Sequence, residues 1–290
     1  MDDPRWPALP LEEWKDTCDT LHLWTQVPGK VRLALSPEEP EWQQVVLYTN
    51  ARGLTTGPMP YRGRTCEIAF DFLAHKVFIW TNEGPTREIA LVPMSVAAFY
   101  NAMLNALKEL GIAVQLNPAP QEVPNPIPLD EDTTHASYDR DAIAKFWQIL
   151  STVDMIVREH RAPFRGRHTL VQFFWGTFDL AYARFSGKPV VLPPDANLMM
   201  RKGGDAQEVC TGFWFGDDRL PEPAFYCYAY PKVEGLETAG VRPGAAGWNT
   251  DLGEFIMRYE DVRTAKSPRD AVTEFLKSTF DAASSNWAAS

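Results

Sequence analysis

The chain reads as an α+β protein built of two pseudo-duplicated halves, each an antiparallel sheet flanked by amphipathic helices. Three observations predict this. The order helix, short strands, helix occurs twice. Residues 117–128 hold five prolines in twelve positions, which makes an extended connection and not an element. The join Ala74-His75-Lys76 is too short for anything but a hairpin, so the strands it connects run antiparallel. The expected organisation is a first half over 1–117, a proline-rich linker over 118–128 and a second half over 129–290, packed into one unit through helices at 11–27 and 129–160.

The first helix opens after Pro10 with Glu12 and Glu13 in its first turn, and Trp14, Cys18, Leu21 and Thr25 recur at helical spacing. Pro28-Gly29 is expected to stop it. Strand-like runs follow at Val45–Ala51, Cys66–Leu73 and Val77–Thr81, with a loop at Gly53–Tyr61 and His75 in the hairpin turn. Along Cys66–Leu73 the alternation places Glu67, Ala69 and Asp71 on one face, read as solvated. After a strand at Ile89–Val92, the residues Val96, Phe99, Tyr100, Met103, Leu104 and Leu107 form a helical stripe ended by Gly111.

The second half opens on Asp130-Glu-Asp-Thr-Thr-His-Ala-Ser137. Ser137 is the expected N-cap of a long helix with Ile143, Phe146, Trp147, Leu150, Val153 and Val157 on one face. Residues 170–175 read as a strand broken by Gly176, and 187–204 as a Gly/Pro-rich connection. Further strands are expected at Gly212–Phe215, Ala224–Tyr230 and Glu254–Arg258, and a last helix starts at Ser267-Pro268.

With 28 basic against 38 acidic residues and no basic run, the chain is a poor fit to nucleic acid or to an anionic membrane surface, and a small-molecule ligand is the expected partner. Its longest apolar runs are far below the ~20 residues that span a bilayer. Cys18, Cys66, Cys210 and Cys227 are widely spaced, without a CxxC pair, and the acidic N-terminus has no secretory pattern, so a reduced, cytoplasmic setting is expected. GxSxG, GxGxxG, Walker A, HExxH and EF-hand patterns are absent, and no cofactor is named by the sequence.

The densest chemistry lies in Thr169–Gly187, where six aromatics surround Gln172, Asp179 and Arg184. Together with Trp24 and the tyrosines of Ala224–Tyr230, this stretch predicts a pocket between the halves. Its expected ligand-binding residues are His22, Trp24, Gln172, Trp175, Phe178, Tyr226 and Tyr228. His135 follows three acidic residues at a helix entry and is the expected proton carrier, with Asp179 and Arg184 beside it in catalysis, Arg184 holding developing negative charge. A histidine-ligated metal held by His22, His75 and His135 is the alternative mechanism, and ligand binding without turnover is another.

Several segments together resemble the bacterial family catalogued as domain of unknown function 5996. They are Trp6–Trp14 with Leu21–Gln26, Gly53-Leu-Thr-Thr56, Asp130–Tyr138, Phe173-Phe-Trp-Gly176 with Phe178-Asp-Leu180, and Glu222–Tyr226. The resemblance spans nearly the whole chain and implies relatedness without a function. Members similar to this chain commonly carry histidines at the position of Gln172 and near Pro193, Gln207 and Asn249, which implies that any metal held there by relatives is not held here by the same ligands. The expected function is that of an enzyme acting on a small, largely apolar organic molecule by acid/base chemistry in an aromatic-lined pocket.

Overall fold

In the computed structural model, which describes residues 3–196 and 198–287, a long central helix α1 (Leu11–Leu35) is packed against elements of both halves. The first half continues with a 3-10 segment (Pro40–Val45) and the strands β1 (Tyr48–Thr49), β2 (Leu54–Thr55), β3 (Met59–Tyr61), β4 (Arg64–Asp71), β5 (Lys76–Thr81) and β6 (Thr86–Ala90), then α2 (Val96–Glu109). The second half holds α3 (Arg140–Arg161), β7 (Gln172–Phe174), β8 (Asp179–Pro189), α4 (Leu198–Gly203), β9 (Ala206–Trp214), β10 (Ala224–Tyr230), a 3-10 turn (Leu236–Thr238), β11 (Gly247–Asn249), β12 (Glu254–Arg258), α5 (Tyr259–Arg263) and α6 (Pro268–Ala283). Each half contains one six-stranded antiparallel sheet, as the alternation predicts. The orders are β1-β2-β4-β5-β6, with β3 beside β4, and β11-β12-β10-β9-β8-β7.

The two sheets touch at one antiparallel bridge, where Leu47 and Phe173 exchange backbone hydrogen bonds of 2.9 and 2.8 Å. Phe146 on α3 gathers rings from both halves: Phe72 after β4, Phe215 after β9, Trp14 on α1, and Phe178. One apolar cluster therefore runs through both halves.

Pro28-Gly29 does not stop α1. From Leu23 to Arg32 every residue is buried, so the helix is enclosed on all sides, and packing offsets the ~3 kcal/mol that an interior proline costs. Three of its buried polar side chains find backbone partners: Gln26 donates to the Gln121 carbonyl (3.0 Å) and accepts from the Gln121 N–H (2.8 Å), Lys30 donates to the Ala119 carbonyl, and Arg32 to that of Thr56. The proline-rich 118–128 stretch is thereby laid along α1. Gly29 is required because the Trp175 indole lies on it, and a Cβ there would come within 2.3 Å of the ring.

Three further expectations are corrected. Asp139, not Ser137, caps α3 by accepting from the N–H groups of Asp141 and Ala142, while Ser137 faces Thr17 on α1. Asp71 is buried, not solvated, because it accepts from the Leu73 and Ala74 N–H groups of the hairpin turn and pairs with Arg52. Finally, the Gly/Pro-rich connection expected over 187–204 is shorter, because β8 runs on to Pro189 and α4 occupies Leu198–Gly203.

Candidate functional site

β8 decides the site, because a strand sends alternate side chains to opposite faces. On one face Leu180, Tyr182 and Arg184 enter the core under α3 and α6. On the other, Asp179, Ala181, Ala183 and Phe185 floor a cavity of about 480 Å³. Register carries this floor across the sheet: Gln172, Ala181, Gly212 and Tyr226 form one row, Ala183, Cys210 and Tyr228 the next, and Phe185, Glu208 and Tyr230 a third. Small residues in the middle of the first two rows make the hollow; aromatic and acidic residues make its walls. Glu41, Trp42, Met199, Met200 and Glu254 close it from above and from the side.

Gly212 has a specific task. A Cβ there would meet the Leu180 carbonyl at 2.1 Å and the Tyr226 hydroxyl at 2.4 Å, so only glycine lets Tyr226 lie across β9 and reach Asp179. Tyr226 and Thr177 each donate to one oxygen of Asp179. Burial still dominates and raises the Asp179 carboxyl to about 6, against these two bonds. Glu254 is raised to about 7 by burial, with the nearby Asp179 charge adding to it and Arg219 opposing. Glu208 reaches about 7 by burial, opposed by Arg167. The Cys210 thiol on the floor is pushed well up by burial and offers no thiolate nucleophile.

A second cavity, of about 680 Å³, adjoins the first and shares Thr177, Trp214 and Arg219 with it. His22, His135 and Phe178 line it. His135 Nδ1 lies 2.7 Å from the carboxylate of the fully buried Asp132, which also accepts the Thr134 and His135 N–H groups. The carbonyls of Asp132 and His135 in turn accept from Ala97 and Val96 at the start of α2. The polar motif before α3 therefore caps α2, in the other half of the chain. His22 Nε2 is 2.9 Å from the Gly176 carbonyl, and burial lowers its pKa.

Among the described residues, the non-glycine positions with left-handed φ are Glu41, Trp42, Arg62, His75, Glu122, Asn125 and Phe178. All but Arg62 and His75 line one of the two cavities. Backbone strain of this kind gathers at functional sites, where the surroundings hold it in place.

The fold thus brings Gln172, Asp179, Tyr226 and Tyr228 to one cavity and His22, Phe178 and His135 to the next. It does not form a pocket walled by Trp24 and Trp175. Trp24 is stacked in the core between Phe99 (4.9 Å) and Tyr138 (5.6 Å), and Trp175 is buried with its indole N–H on the Val45 carbonyl. Arg184 is on the wrong face to meet Asp179: it donates to the His160 carbonyl at 2.5 Å and stacks on Phe280 and Phe164. Nor do His22, His75 and His135 converge. His75 Nδ1 bonds the Tyr138 hydroxyl at 2.9 Å, and no three metal-ligating side chains cluster among the described residues. Sequence reasoning missed Glu208 and Glu254. The signal for Glu208 was the alternation Ala206, Glu208, Cys210, Gly212, Trp214, which pairs with the tyrosines of β10.

Among the described residues, no helix is long and apolar enough to cross a membrane, and all four cysteines are free and buried. A family model described as a family of unknown function (DUF5996) matches residues 6–289. No curated protein and no solved structure matches the chain.

Proposed function

Because the chain belongs to this family of unknown function along nearly its whole length, membership supplies no reaction, and we propose from the site that it is a cytoplasmic enzyme acting on a small, largely apolar organic molecule by acid/base chemistry. The observation that carries this reading is the pair Asp179 and Glu254, two carboxyls in one aromatic cavity. Their environments hold them at about 6 and about 7. Both titrate near neutral pH, so the pair can hold one ionised carboxyl to take a proton and one protonated carboxyl to give it, the division that proton transfer requires.

The test incubates wild type, Asp179→Asn and Glu254→Gln with a defined mixture of small metabolites in D₂O, followed by mass spectrometry. Wild type should deplete or deuterate at least one component, and each variant should lose ~10²–10⁴-fold of that rate while still binding it. Equal rates in all three proteins would remove the pair from the chemistry. Binding by wild type with no conversion would leave a binding protein without turnover.

A second reading keeps His135 as the proton carrier at the adjoining cavity, supported by its bond to the buried Asp132. His135→Ala separates the two: loss of rate with stability intact favours the second reading, whereas loss of stability at unchanged rate leaves the residue as part of the α2 cap.

A further inference from the structure

The chemistry of the cavity wall also narrows what enters it. We infer that the cavity takes a small organic ammonium ion with at least one N–H bond on its charged nitrogen. This rests on the cavity being the ligand site proposed above.

Gln172 is the first observation. Its side chain is 2% exposed and lines the cavity, and its amide oxygen is a buried acceptor with no donor among the described residues. A buried acceptor left without a donor is costly, so a ligand that supplies an N–H or O–H is favoured over one that does not. Charge is the second, independent observation. Among the described residues Asp179, Glu208 and Glu254 have no ion-pair partner, whereas Glu41 on the same wall is paired with Arg167. The one cation on the wall among the described residues, Arg219, is already bound to Asp217 at 2.9 Å and stacked 5.1 Å over Trp214. An anion entering here meets like charge, and a neutral molecule leaves the carboxyls uncompensated. The third is the rings: Tyr226 and Tyr228 lie parallel, centroids 6.2 Å apart, with Trp42 on the same cavity. Such faces attract an organic cation but do not favour an anion.

The probes are benzylammonium, benzyltrimethylammonium, benzyl alcohol and benzoate, which share one ring and differ in charge and in N–H. Titration calorimetry on wild type should give benzylammonium at least about tenfold tighter than benzyl alcohol, equivalent to about 1.4 kcal/mol, with benzoate the weakest. Benzylammonium should also release protons between pH 6 and 7, because a cation holds the carboxyls ionised. Gln172→Leu should remove the advantage of benzylammonium over the trimethyl probe, Glu208→Gln should weaken both cations, and Ala183→Leu, which narrows the floor, should weaken all four. Benzyl alcohol or benzoate binding as tightly as benzylammonium would overturn the ammonium assignment and leave the cavity as a ligand site. So would cation affinities unchanged in Glu208→Gln. Equal affinity of the two cations for wild type would overturn the N–H requirement. No binding by any probe at millimolar concentration, or binding untouched by Ala183→Leu, would instead remove the cavity as the site and the proposed function with it.

Discussion

At Asp179, two hydroxyl donors favour the charged form and burial disfavours it; burial wins. The folded value, about 6, lies above the ordinary 3.8, so the folded chain holds more protons than the unfolded one between these limits. The stability this group permits is whole below pH 3.8 and is lost as pH rises through about 6. At about 1.4 kcal/mol for each pH unit between the two values, the loss is about 3 kcal/mol. Asp179→Asn escapes it, so urea unfolding at pH 4, 6 and 8 should show the variant gaining on wild type by that amount as pH rises; a gap independent of pH would refute the assignment. The comparison with a variant matters because buried His160 has the opposite sign. Its pKa is lowered to about 3 by burial and then by Arg184, so stability present above 6.5 is lost as pH falls through about 3. Gln172, Asp179, Tyr226 and Tyr228 were legible from the sequence as residues that share a pocket, and they line one cavity because strand parity and register place them on one face. Arg184 was misplaced for the same reason: five positions beyond Asp179 in one strand, it must point the other way.

The parity error belongs to β8 as an element. Gly176 looks like the end of a strand, but it lies inside a hairpin turn from which the chain returns as β8, and Phe178 in that turn sits at φ 57°. The helices were more legible, because a stripe of period 3.6 survives local interruptions. α1 outruns its expected end for a tertiary reason, since its C-terminal part is enclosed by both halves and by the 118–128 stretch. This sets two effects against each other at Gly29. Alanine in a helix interior gains about 1 kcal/mol over glycine. Here the added Cβ meets the Trp175 ring, and that indole cannot retreat without giving up the Val45 carbonyl. Overpacking costs about 1–3 kcal/mol, so Gly29→Ala should destabilise the protein on balance, read as a lower urea midpoint. A rise in midpoint would show that Trp175 yields easily.

At the scale of the molecule, the order of elements and the proline stretch made the α+β class and the two sheets legible. The shared core was only partly so, because contacts such as Phe146 with Phe72 and Phe215 depend on packing that no local pattern encodes. That core predicts one cooperative unfolding step despite the proline-rich stretch: near- and far-ultraviolet circular dichroism should give coincident transitions in denaturant, and two separated midpoints would show that the halves unfold independently. The Leu47–Phe173 bridge has a bearing on aggregation as well. Two unconnected sheets would each offer end strands with open N–H and C=O groups, the template on which one chain recruits another. Here β1 and β7 turn their ends toward each other. Of the strands left outermost, β6 carries Arg87 and Glu88, each in an ion pair, and β3 and β11 are three residues long. A neighbouring chain is thus offered either charge or too short a ladder, and the contact that joins the halves also helps keep one molecule from zipping onto the next.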